Sequence, residues 1–154
     1  MDTHSDTVLL AIGHEDDDAL SALARTALQI VDPADTTVVF VHVFTQSQFS
    51  ELAAELDFPG ATAEDVDEIT ERHRSVRYLE DVFDDHGVGY ETRGVVGEVS
   101  EALLSTAEEI DADHFIVAGA TKTPVGKAIF GSTTQDVLLD APCPVTYVKP
   151  TDHE

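Results

Sequence analysis

The sequence predicts an α/β fold: a doubly wound, five-stranded parallel sheet flanked by four helices. Short apolar runs of strand length alternate with stretches of helical spacing, in the order β-α-β-loop-α-β-α-β-α-β. Strands that alternate with helices are joined by right-handed crossovers, and such strands lie parallel. The run Phe115-Ile116-Val117-Ala118 is apolar throughout, as a strand covered on both faces requires.

Thr7–Gly13 reads as the first buried strand. Asp16-Asp17-Asp18 supplies the N-cap and negative first turn of a helix whose apolar positions are Leu20, Leu23, Ala24, Ala27, Leu28 and Val31. Asp32-Pro33 ends it. Thr36–Phe44 is the second strand, and His42 within it reads as a sheet or core histidine rather than a ligand. Residues 45–61 read as a loop with a helical turn in Phe49–Leu56, broken at Pro59-Gly60. Thr62-Ala63-Glu64-Asp65 begins a long helix. Val66, Ile69, His73, Val76, Leu79 and Phe83 form its apolar face. Arg72, Arg74 and Arg77 lie among Glu68, Glu71 and Glu80 on its solvated face, and His86-Gly87 closes it.

Val88–Arg93 is the third strand and Gly94–Gly97 its loop. Val99, Leu103, Ala107 and Ile110 mark a helix, and Phe115–Ala118 is the fourth strand. A short helix, Ser132–Asp140, precedes Pro142-Cys143-Pro144 and the last strand, Val145–Val148. Residues 1–150 read as a single domain and 151–154 as a polar tail.

Charge narrows the function. Eight basic residues against 31 acidic ones leave a formal charge of −23. Such a surface repels nucleic acid and anionic membranes. The acids are spread along the chain rather than blocked, which suits a halophilic, salt-rich cytosol better than an acidic docking tail. The amino-terminal Met1-Asp2-Thr3-His4 lacks the basic start and apolar core of a leader, so a cytoplasmic protein is expected. A single cysteine, Cys143, precludes an intrachain disulfide and reads as a small packing residue. The seven histidines are scattered, and no metal site or catalytic constellation is expected.

The stretch Phe115–Thr134 is the most informative. An apolar strand breaks into a loop punctuated by Gly119, Gly126 and Gly131, followed by Ser132-Thr133-Thr134 at the start of a helix. Glycines let backbone N–H groups approach a ligand, and a helix N-terminus favours negative charge. Gly126-Lys127 does not form a P-loop, because Thr121 and Ala128 stand where that motif needs Gly and Ser/Thr. In a doubly wound sheet ligands bind beyond the carboxyl ends of the strands. These are expected at Gly13-His14, Val43-Phe44, Gly94 and Gly119, the edge on which the glycine loop falls.

With these elements the chain resembles the universal stress protein family over nearly its whole length. The ATP-binding branch carries Gly-x-x-Gly, a nine-residue spacer, then Gly-Ser/Thr. Gly119 matches its first glycine and Gly131-Ser132 its end, while Lys122 occupies the second glycine's place and the span is one residue shorter. His14 stands where that branch often has an acid past the first strand. The resemblance implies a Rossmann-like sheet of the adenine nucleotide alpha hydrolase type and a non-enzymatic stress protein. Such a protein binds ATP or another adenine nucleotide, or serves as a dimeric interaction module paired through the last strand. By position, the amides of Gly131, Ser132 and Thr133 would hold phosphate. Gly126 would partly replace the missing glycine, Lys127 or Lys122 would offset phosphate charge, and the base would lie near Val43 and Gly119. Lys122 and Lys127 are two of the three lysines in the chain, and pairing with surface carboxylates is the alternative role for them. Asp16-Asp17, Thr121 and Lys149-Pro150 mimic marks of a phosphorylation receiver domain. That reading fails because the third strand ends at Arg93-Gly94 with no acceptor aspartate.

Overall fold

All five strands lie parallel in one sheet: β1 (Asp6–Ile12), β2 (Thr36–Phe44), β3 (Gly89–Val96), β4 (His114–Ala118) and β5 (Val145–Val148). Their spatial order is β3-β2-β1-β4-β5. The structure is a computed structural model describing residues 6–12, 17–55, 74–118 and 132–148. Five helices occur among these residues: α1 (Asp17–Ile30), α2 (Gln46–Glu55), α3 (Arg74–Asp85), α4 (Val99–Glu109) and α5 (Ser132–Asp140).

Strand alternation divides the core into two layers. Val8, Leu10, Ile12, Val38, Phe40 and Ile116 face α1 and α3, where Leu23, Ala27, Val76, Leu79 and Phe83 meet them. Leu9, Ala11, Val39, Val41, Val43, Phe115 and Val117 face α4 and α5, meeting Leu103, Ala107 and Val137. The central strands are thus apolar on both faces, the pattern that the sequence displayed.

The predicted end of the long helix is confirmed in detail. Val88 N donates to Phe83 O at 3.0 Å and Gly87 N to Asp84 O at 3.2 Å, with Gly87 at φ 69°. This is a Schellman cap, and both residues of its apolar contact, Phe83 and Val88, are buried. The predicted start of that helix, at Thr62–Asp65, lies outside the described residues.

Two expectations are corrected. Residues 46–55 form a full helix, α2, not a loop with one turn, so the described residues alone hold five helices where four were expected. Thr45 and Gln48 cap it reciprocally: Gln48 N donates to Thr45 Oγ1 at 3.2 Å, and Thr45 N donates to Gln48 Oε1 at 2.9 Å. Phe49 and Ala53 then bury themselves against Phe44. The third strand also continues past Arg93, because β2 offers a ladder as far as Phe44. Gly94 pairs with His42, Val95 with Val43 and Val96 with Phe44, and Gly97 N donates to Phe44 O at 2.8 Å. The carboxyl end of this strand is therefore Val96, not Gly94.

Candidate functional site

The strand order reverses at β1. From β1 the chain moves outward to β2 and β3, then crosses back to β4 and β5 on the other side. The boundary between β1 and β4 is the switch point, where a doubly wound sheet leaves a crevice at its carboxyl edge.

The register shows how the crevice opens. β1 stays beside β2 to its last residue, Ile12↔His42. β4 stays beside β5 to its last residue, Ala118↔Val148. Between β1 and β4, pairing runs only from Val8↔His114 to Leu10↔Ile116. Ala11-Ile12 and Val117-Ala118 continue in separate company, so the two strands part toward the carboxyl rim.

Crossover helices run back against the strands, which places their N-termini at this rim. They differ in charge. α1 begins with Asp17-Asp18. α4 is capped by Glu98, whose carboxylate accepts from Glu101 N at 2.7 Å, so the chain's own anion already occupies this helix start. The first turn of α2, which follows β2, contains no acid, and neither does that of α5, which follows β4 at the switch point. In a chain with 31 acidic residues, the α5 turn has been left without the negative charge that would repel a phosphate.

Of the predicted site residues, Val43 lies buried one residue from the end of β2, on the α4/α5 side of the sheet. Its layer also contains Val137 of α5. Ser132 opens α5 and Thr133 follows, half-buried. Gly119, Gly126, Lys127 and Gly131 lie outside the described residues, as do His14 and Lys122. Val43 and the start of α5 are therefore placed on one layer at one rim.

His42 is a core histidine, as expected. It is 1% exposed, and its Nδ1 lies 2.8 Å from Ile12 O. No group of His, Cys, Asp and Glu among the described residues has a metal-holding arrangement. One titratable cluster lies at the opposite, amino-terminal rim. There His114 Nε2 lies 2.6 Å from Thr146 Oγ1, and burial pushes its pKa down. Burial, with the charge of Asp113, pushes the Cys143 thiol up, and the side chain packs against the α4/α5 layer. A thiol held protonated and packed in this way behaves as a small apolar residue. No described helix is long and apolar enough to cross a membrane.

Sequence reasoning saw only part of one feature of this rim, α2, which it read as a helical turn in Phe49–Leu56 within a loop. Its signal was the Thr45-x-x-Gln48 capping pair, set before a stretch in which only Phe49 and Ala53 become buried.

Comparison with known proteins agrees with this architecture. The profile of the universal stress protein family matches residues 4–149. A universal stress protein of Mycolicibacterium smegmatis is 39% identical over 93 residues, covering 58% of this chain and 72% of its own. Among solved structures, a universal stress protein from Archaeoglobus fulgidus in complex with dAMP superposes with a TM-score of 0.62 at 20% identity, covering 94% of this chain and 98% of that one. A universal stress protein in complex with cAMP gives 0.63 at 22% identity, covering 96% and 99%. An Arabidopsis thaliana universal stress protein family protein with AMP bound gives 0.60 at 16% identity, covering 95% and 92%. At these identities the structural likeness establishes the fold.

Proposed function

The chain belongs to the universal stress protein family, and on that premise we propose that it binds ATP or another adenine nucleotide as a non-enzymatic stress sensor of the cytoplasm. The parting of β1 from β4, beside a helix start without carboxylates, supports this most directly. In this reading the base lies against the backbone near Val43 and Gly119. The phosphates meet the amides of Gly131, Ser132 and Thr133, with Gly126 easing the approach of the loop and Lys127 offsetting charge. The complexes of structural neighbours with dAMP, cAMP and AMP favour adenine as the base.

A second reading is a homodimeric interaction module that binds no nucleotide. β5 is an outer strand of the sheet, and an outer strand offers backbone groups for pairing with a second copy. Leu139, 81% exposed on the helix that precedes it, adds apolar surface.

The test is to purify the protein in multimolar KCl, denature it and chromatograph what is released, then titrate ATP calorimetrically in the same salt. Near-stoichiometric adenine nucleotide, or saturable binding, supports the sensor. A blank in both leaves the dimeric module. The acidic surface carries its own expectation of a halophilic protein: its thermal midpoint should rise as KCl is raised toward the molar range, because self-repulsion at a charge of −23 is screened. A midpoint indifferent to KCl would remove that part of the proposal.

A further inference from the structure

The carbonyl of Ile12, the last residue of β1, lies 2.8 Å from Nδ1 of His42. A carbonyl only accepts, so this ring nitrogen carries the hydrogen. The ring is buried and stands edge-on to Phe44, centroids 4.4 Å apart. Phe44 in turn packs on Phe49 of α2, with centroids at 5.9 Å. A run of three rings thus leads from α2 to the end of β1.

The position of this bond gives it meaning. Ile12 and His42 are the final register partners of β1 and β2. The pairing of β1 with β4 has already ended at Leu10↔Ile116. β1 is therefore tied to β2 by a side chain just where it has left β4. We infer that His42 is a positioning residue for the nucleotide site: its hydrogen bond to the Ile12 carbonyl holds the end of β1 against β2 and keeps the crevice toward β4 open. This rests on the nucleotide-binding reading above and assigns His42 no contact with the ligand. Filling the core would need only volume, which a hydrocarbon ring supplies. A buried donor aimed at a strand's terminal carbonyl is a directional constraint.

Two substitutions separate volume from direction. His42→Phe keeps a ring and loses the donor. His42→Asn loses the ring, but its Nδ2 is bonded to Cγ as the imidazole Nδ1 is, so the donor stays in place. With ATP titrated into each folded variant, the Phe form should bind about tenfold more weakly than wild type, roughly what one hydrogen bond is worth. The Asn form should bind within about threefold of wild type, although its thermal midpoint falls further. Amide exchange at Ala11 and Ile12 should accelerate in the Phe form and not in the Asn form. A merely structural role predicts affinity that follows the midpoint, with Asn the weaker binder. That outcome, or wild-type affinity in the Phe form, overturns the inference. If wild type itself binds no adenine nucleotide, the sensor reading fails on its own account. Exchange at Ile12 then still decides whether His42 holds the strand, and unchanged exchange in the Phe form shows that it does not.

Discussion

Thr7 and Asp113 hold each other twice. Asp113 N donates to Thr7 O at 2.7 Å, and Thr7 N donates to the Asp113 carboxylate at 2.9 Å. The pair stitches β1 to the entrance of β4 at the amino-terminal rim, opposite the crevice. The two strands are thus fastened at one end and parted at the other. Asp113→Ala should lower unfolding free energy by about 1 kcal/mol, while Asp113→Asn, which keeps an acceptor oxygen, should cost about half as much. Urea unfolding at fixed KCl measures both, and two variants indistinguishable from wild type would show that the stitch contributes nothing.

The α3 face of the core rests on Phe83, which meets Phe40 edge-on with ring centroids 5.1 Å apart. Phe83 is fully buried and also supplies the carbonyl that closes the helix. Phe83→Ala should cost about 3–5 kcal/mol. Tyr78→Ala, on the same helix but 39% exposed, should cost about 0.5 kcal/mol or less. Similar losses in both would contradict the assigned burial.

His114 predicts a pH dependence. Burial favours its neutral form, so its pKa in the folded protein lies below the ordinary 6.5. The unfolded chain then binds the proton more readily. The neutral imidazole's contribution is present above pH about 6.5 and is lost as pH falls through the lower, folded value. His114→Gln should flatten the decline in unfolding free energy between pH 7 and pH 5 relative to wild type. Parallel curves for the two proteins would place the acid sensitivity elsewhere.

Gly131→Val tests the phosphate end of the proposed site. A branched side chain there should abolish nucleotide binding, because a Cβ blocks close approach of backbone amides to an anion. Self-association, followed by sedimentation, should remain as in wild type. Unchanged ATP affinity in this variant would place the phosphates somewhere else.

Much of the fold was legible in the chain. Thr36–Phe44, Val145–Val148 and Ser132–Asp140 have the bounds that their apolar runs and flanking turn residues suggested. The glycine after His86 sits in the left-handed conformation that ends α3. Other features were harder to read. α2 carries a capping pair but few apolar positions, so its periodicity is weak and its stability depends on Phe44 beneath it. β3 looked finished at Gly94, since a glycine pair with two valines resembles a turn. A strand's length is set by its neighbour, and β2 extends to Phe44. Of the site, the chain displayed the glycines, the hydroxyl residues that open α5 and the end of the first strand at Gly13-His14, while the parting of β1 from β4 after Leu10 was silent.

The sequence by itself determined the alternation of strands and helices, the apolar character of the central strands and the absence of acid from the first turn of α5. These are local properties of short stretches. Only the tertiary structure decided that β1 lies between β2 and β4, that it parts from β4 after Leu10, and that His42 reaches its last carbonyl. Those relations join residues 30 to more than 100 positions apart. They arise from how the layers pack together, which no local periodicity encodes.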